Sequence, residues 1–168
     1  MQLNSDELRA AVETARANSY RPTIKGVVYD LKGRFVSFAS ANYRLKMNFP
    51  GGGIDAEESP LYGFHREMSE ETYGIEYART GLLGALLLAE GRVATTRTKW
   101  EGKHLWLYAV QTTDVHSIRC RYEIDHMRIH SVKNTQSFFT RLADFTDTSP
   151  DVADLYERAI LKLERILT

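Results

Sequence analysis

The segment from Phe49 to Glu71 constrains this chain most. Phe49-Pro50-Gly51-Gly52-Gly53 interrupts regular structure, because consecutive glycines reach backbone angles closed to other residues. Ser59-Pro60 then signals a helix start: serine caps free amides and proline tolerates the first helical position. The helix predicted from there to about Thr72 has two faces. Leu61, Phe64 and Met68 lie three and four apart and need an apolar surface to cover, whereas Gly63, Glu67, Glu70, Glu71 and Gly74 fall on the other side. Glu67, Glu70 and Glu71 stand at i, i+3 and i+4, so their carboxylates project toward nearly one point, where repulsion is costly without a cation. Hard oxygen donors of this kind suit Mg²⁺ or Mn²⁺. The same spacing also describes a solvated acidic face supported by Arg66 and Glu70 at i, i+4, and spacing alone does not choose between them.

The rest of the chain alternates strands and helices, without an internal repeat. Ser5 and Asp6 predict a capped amphipathic helix through about Ala17, with Leu8, Ala11, Val12 and Ala15 at helical spacing. Thr23 to Asp30 and Arg34 to Ser40 flank a turn ending in Gly33 and predict a hairpin. Further strands are predicted at Thr80 to Leu88, Val93 to Thr98, His104 to Thr112 and Met127 to Val132, giving a mixed sheet. From Ser149-Pro150 a helical period runs to the end through Val152, Leu155, Tyr156, Ala159, Ile160, Leu163, Ile166 and Leu167.

Composition narrows the function. Lysine plus arginine and aspartate plus glutamate number 22 each, so no overall field draws the chain to nucleic acid or membrane, and any such substrate must be recognised locally. The longest apolar stretch, Leu82 to Ala89, is far short of the ~20 residues a membrane span needs. One cysteine, Cys120, forms no internal disulfide, and the polar start Met1 to Glu7 lacks the layout of an export signal, so a cytoplasmic protein is expected. Cys120 has no identified histidine partner and reads as a bystander. His126 and His130, four apart on a strand, read as structural or surface residues.

Gly52, then Glu58 after five residues, then Arg66-Glu67-Met68-Ser69-Glu70-Glu71 after seven more, then Gly74-Ile75, resembles the Nudix box. Thr72-Tyr73 stand where that family has a single residue before the glycine, so the helix exit is one residue longer here. The resemblance implies one domain over 1–168, an α/β/α sandwich with a mixed β-sheet, carrying an added N-terminal helix within 1–19, the box at 52–75 and a C-terminal helix at 149–168. It also implies a metal-dependent hydrolase that cleaves a phosphoanhydride bond in a nucleoside diphosphate linked to another group. Glu67, Glu70, Glu71 and Gly52 would hold Mg²⁺ or Mn²⁺, and Arg66 would orient a carboxylate, Glu58 or Glu70. Glu70 or Glu71 would assist the attacking water, which the cation makes more acidic.

Three further segments are similar to bacterial RNA pyrophosphohydrolases and dinucleoside polyphosphate hydrolases, so that the MutT-like resemblance spans about Tyr20 to Phe139. They are Tyr20-Arg21-Pro22, Trp100 to Leu107, and Glu123-Ile124-Asp125-His126-Met127-Arg128. By that likeness Arg21 contacts phosphate and Glu123 approaches the metal site as an additional acid. Two stations depart from the pattern: Met47-Asn48 precede Phe49-Pro50 where an aromatic residue is expected, and Met127-Arg128-Ile129 replace Trp-Arg-Trp. Arg44 and Lys46 are candidate phosphate contacts or ordinary exposed cations. Tyr43 and Phe138 or Phe139 are candidate base-stacking residues or core. The expected partner is a nucleotide or 5′-phosphorylated RNA. ADP-ribose, nucleotide sugars, nucleoside triphosphates and a non-catalytic nucleotide-binding module are the alternatives. The N-terminal helix serves either to make a homodimer or to cover the sheet.

Overall fold

A computed structural model of the chain describes residues 1–39, 47–77, 81–94, 99–121, 126–139 and 150–168. Helix α1 (Asp6–Ala17) begins where the Ser5 hydroxyl accepts from the Leu8 amide, and Asp6 and Glu7 in its first turn complement the positive helix end. Its Leu8, Val12 and Ala15 are buried. Strand β1 (Tyr20–Tyr29) turns through Gly33, at φ +76°, into the antiparallel β2 (Arg34–Ala39). The short strands β3 (Met47–Asn48) and β4 (Gly51–Gly53) follow, the first pairing with β2 and the second with β1. Helix α2 (Pro60–Glu71) comes next, capped by the Ser59 hydroxyl on the Tyr62 amide, with proline in its first turn as the sequence predicts.

Past α2 the chain forms β5 (Thr72–Tyr73), β6 (Leu86–Ala94), β7 (Gly102–Gln111), β8 (Arg119–Cys120) and β9 (His126–Ser131). Helices α3 (Gln136–Phe139) and α4 (Pro150–Leu167) complete the described elements. β3, β2, β1, β7 and β6 lie side by side in the main sheet, with β4 paired to β1 and β9 to β2; β5 and β8 make a separate two-stranded ribbon. β1 and β7 run parallel in the middle, with consecutive buried residues from Pro22 to Val28, as expected where both faces of a sheet are covered.

Two expectations are revised. Over the described parts of the expected strands Thr80 to Leu88 and Val93 to Thr98, residues 81–84 turn and a single strand runs from Leu86 to Ala94, while 80 and 95–98 lie outside the described residues. Glu90-Gly91-Arg92 reads as a break in sequence, yet it stays in the ladder opposite Trp106, Leu105 and His104, with a register shift between Leu87 and Ala89. Gly91 is there for packing, since a Cβ at that position would stand 3.1 Å from a Leu155 methyl of α4. The extra residue at the exit of α2 is absorbed by β5, which pairs Thr72 with Cys120 and Tyr73 with Arg119 before Gly74 turns the chain at φ +78°.

Each sheet face has its own core. Val152, Leu155, Tyr156, Ala159, Ile160 and Leu163 of α4 pack with Val27, Leu105, Leu107, Phe35, Phe49 and Phe138. The other face buries Leu8, Val12 and Ala15 of α1 and Phe64 and Met68 of α2 against Ile24, Val28 and Trp106. Each fully buried valine, leucine, isoleucine, phenylalanine or methionine among them contributes roughly 1.5–3 kcal/mol. The architecture is the expected α/β/α sandwich with a mixed sheet and terminal helices, and the apolar face of α1 covers the sheet of its own chain. Among the described residues no helix is long and apolar enough to cross a membrane.

The β1–β2 turn is fixed by a buried carboxylate. Asp30, with no exposed surface, takes a two-pronged bond from Arg34 (2.9 and 2.7 Å) and accepts the Lys32, Arg34 and Val115 amides. Burial by itself would push its carboxyl up, but Arg34 and the amides overcome that and hold it below the usual range. Replacing Asp30 with asparagine keeps the volume and removes the charge that Arg34 faces. Asp30→Asn is expected to cost about 2–4 kcal/mol of stability, read as a lower urea midpoint at unchanged slope.

Candidate active site

The glycine loop is built by the pairing of β4 with β1, which sets Gly53 opposite Thr23, Gly52 opposite Ile24 and Gly51 opposite Lys25. Gly51 has φ +129°, and a Cβ there would run into the Ile24 carbonyl, so only glycine lets the loop lie this close to the central strand. At Gly52 the absent side chain leaves room for a carboxylate: a Cβ would stand 2.5 Å from Glu67 Oε2. At Gly53 it would meet the Arg21 guanidinium at 2.6 Å, so Arg21 lies across the loop.

Arg66 ties this loop to α2. Its Nη2 and Nε donate to Glu58 Oε1 (2.6 Å) and Oε2 (3.1 Å), a two-pronged charge-assisted pair, and Nη2 also donates to the Gly53 carbonyl at 3.2 Å. Nη1 donates to Glu67 at 2.9 Å and reaches Glu70 at 3.4 Å. One side chain therefore touches the loop backbone, the residue that closes the loop and two of the three helix glutamates. Glu58 also accepts the Asp55 amide at 2.9 Å, and Gly63 of α2 leaves the space its carboxylate occupies. The Arg66 fork holds the Glu58 carboxyl below its ordinary range despite burial, and Glu58 in turn raises Arg66, which stays charged.

The third glutamate is anchored from the other direction. Glu71 Oε2 accepts the Gly51 amide at 2.8 Å, so the first and second loop glycines face Glu71 and Glu67 respectively. Glu70 is about half exposed. Among the described residues no three acidic, histidine or cysteine side chains already converge as a cation cage. The reason is local: Glu67 is drawn to Arg66 and Glu71 to the Gly51 amide, so mutual repulsion is relieved by internal donors. A groove of about 540 Å³ lined by Leu61, Tyr62, His65, Tyr77 and Leu82 opens on α2, but none of the three glutamates lines it.

The other expected residues divide. Arg21 lies at the loop, as described. Phe138 is fully buried in a ring cluster with Phe35, Phe49 and His130, and Phe139 is half-buried at its edge, 5.7 Å from Phe138. Tyr43, Arg44, Lys46 and Glu123 lie outside the described residues. His130 is structural: it stacks on Phe35, bonds Ser37 at 2.7 Å, and burial pushes its pKa to about 4.

Three residues that hold the loop escaped the reading of the sequence. Lys25, buried on β1, donates from Nζ to the Phe49 carbonyl at 3.0 Å. Tyr156 of α4 donates to Asn48 Oδ1 at 2.6 Å, and Arg16 of α1 donates to the Ile54 and Asp55 carbonyls. The signal for Lys25 was a charged residue inside the apolar run of β1. For Tyr156 and Arg16 no local pattern distinguishes them from other helix residues.

The Arg66–Glu58 pair makes a pH-dependent contribution of definite sign. A carboxyl held low in the folded state adds stability that is fully present above about pH 4.3, its unfolded value, and is lost as pH falls toward the folded one. Glu58→Gln is therefore expected to lose about 1–3 kcal/mol at pH 7 and to show a shallower acid limb in urea melts between about pH 5 and 3.

The family model for the NUDIX domain matches residues 19–147. No curated protein matches the chain significantly. Among solved structures, a MutT protein from Methanosarcina mazei Go1 is 18% identical with TM-score 0.56, covering 88% of this chain and 94% of its own. A NUDIX hydrolase from Nitrosomonas europaea is 16% identical with TM-score 0.56, covering 83% and 87%. An Ap4A hydrolase of C. elegans is 11% identical with TM-score 0.58, covering 88% and 97%. At these identities the structures share the fold, while the family match spans the glycine loop, Glu58, Arg66 and the three glutamates, and the chain belongs to the Nudix hydrolase family.

Proposed function

We propose that this enzyme is a metal-dependent pyrophosphohydrolase that cleaves a phosphoanhydride bond in a nucleoside diphosphate-linked substrate, at RNA 5′ ends or in dinucleoside polyphosphates. The observation that carries this reading is the joint placement of the Arg21 guanidinium and the Glu67 carboxylate on successive glycines of one loop. An anion-binding fork and a cation-binding acid then stand on either side of a backbone that phosphates can approach closely. The Ap4A hydrolase among the structural neighbours agrees with a dinucleoside polyphosphate substrate.

The donor set fits a hard divalent cation. Glu67, Glu70 and Glu71 offer carboxylate oxygens, Glu70 is half exposed and held by a long 3.4 Å contact to Arg66, and the bare Gly52 leaves room beside Glu67. Bound to these residues, Mg²⁺ or Mn²⁺ supplies acidification of water and offsets charge on phosphate oxygens. Arg66 keeps Glu58 and Glu67 oriented, Glu70 or Glu71 takes the proton from the attacking water, Arg21 binds a phosphate of the substrate, and Glu123 serves as an additional acid.

A panel of 5′-triphosphate RNA, diadenosine polyphosphates, ADP-ribose, nucleotide sugars and nucleoside triphosphates, run with Mg²⁺ and Mn²⁺ and with products identified, tests the reading. Phosphate or pyrophosphate from RNA, or asymmetric cleavage of dinucleotides, is expected, with Glu70→Gln nearly inactive; a preference for ADP-ribose or sugars would sink the substrate assignment. Glu123→Ala should lower kcat and Arg21→Ala should chiefly raise KM, and unchanged kinetics in both would remove their assigned roles. Gly52→Ala adds one methyl against the Glu67 carboxylate and is expected to slow turnover about ten- to a hundredfold, with little change in Tm.

A further inference from the structure

The glycine loop is held from the side opposite α2 by contacts that the proposed chemistry does not use. Asn48 Oδ1 accepts both the Phe49 amide (2.8 Å) and the Tyr156 hydroxyl (2.6 Å). The Phe49 carbonyl accepts the Lys25 ammonium at 3.0 Å, and the Pro50 carbonyl accepts the Gly26 amide at 2.8 Å. The next amide, Gly51, is the one that donates to Glu71. Tyr156 is fully buried and Lys25 nearly so, and the Phe49 ring packs edge-on to the Tyr156 ring at 5.0 Å, so neither polar group swings freely.

We infer that Tyr156 and Lys25 are positioning residues of the active site: together they clamp Asn48-Phe49-Pro50 so that Gly51 and Gly52 meet Glu71 and Glu67 in register. A buried lysine and a buried tyrosine hydroxyl are costly unless well bonded, and here both are directed at the three residues that lead into the loop. The C-terminal helix thereby acts on the catalytic segment through one hydrogen bond between residues 108 apart in the chain. Lys25 stands on the α4 face of β1 because the strand alternates, with Val27 two residues on in the α4 core and Ile24 in the opposite one, and its register partner Gly51, at φ +129°, lies directly beside it.

The inference rests on the metal reading of Glu67, Glu70 and Glu71, and the test separates the two. Tyr156→Phe removes only the hydroxyl, Lys25→Met removes the ammonium at similar length, and Lys25→Arg restores a donor. Hydrogen exchange followed by NMR in the metal-free enzyme reads the Gly51 amide directly. In Tyr156→Phe and Lys25→Met exchange at Gly51 is expected to rise about five- to tenfold, with α2 and β7 amides unchanged and partial recovery in Lys25→Arg. Mn²⁺ alone, titrated by electron paramagnetic resonance, is expected to half-saturate at a several-fold higher concentration in the same two variants. Unchanged Gly51 exchange overturns the clamp, as does faster exchange with unaltered Mn²⁺ binding while Glu67→Gln abolishes that binding. If Glu67→Gln binds Mn²⁺ as the native enzyme does, the metal reading falls and the clamp is judged on exchange alone.

Discussion

Arg66 is the interaction on which the rest of the site depends. A helix bearing three clustered carboxylates is unfavourable on electrostatic grounds, and a loop with three glycines is unfavourable on entropic ones. The guanidinium answers both, because its planar fork reaches Glu58, Glu67 and the Gly53 carbonyl at once. Lysine, a single point donor, has no comparable way to bridge these groups. The geometry in turn requires Gly63 on α2, where a side chain would take the place of the Glu58 carboxylate.

Around that centre the loop is held from every layer of the sandwich. Arg16 of α1 bonds the carbonyls just after it, Tyr156 of α4 bonds Asn48 just before it, and Lys25 and Gly26 of β1 bond Phe49 and Pro50. Two hydrophobic cores thus meet at one polar segment. The cores give the elements their places, and hydrogen bonds to backbone carbonyls set the loop to within the tolerance that positioning for phosphoryl chemistry demands. The N-terminal helix, which looks like an addition in the sequence, and the C-terminal helix each send a side chain to this loop.

Some elements were legible because their signals are local. The capping serines Ser5 and Ser59, Pro60, Gly33 and the helical period of α4 act within a few residues, and the structure places α1, α2, the hairpin turn and α4 where they indicate. The strand between Leu86 and Ala94 was not legible, since Glu90-Gly91-Arg92 looks like a break until α4 is present to fill the space over Gly91. The replacement of an aromatic residue by Asn48 was visible, but its use was not: the carboxamide accepts a tyrosine more than a hundred residues away.

The sequence by itself determined the family, the helix that carries Glu67, Glu70 and Glu71, and the glycine loop before it, because these depend on spacing along one short stretch of backbone. Tertiary structure alone decided that Glu71 binds the Gly51 amide, that Arg21 lies across Gly53, and that Lys25 and Tyr156 are turned toward the loop. Strand register and pleat set those contacts: the pleat of β1, paired along its length with β7, fixes the face of Lys25, and a shift of one residue in the pairing of β4 with β1 would move Gly51 away from Lys25 and turn the loop glycines to the opposite face.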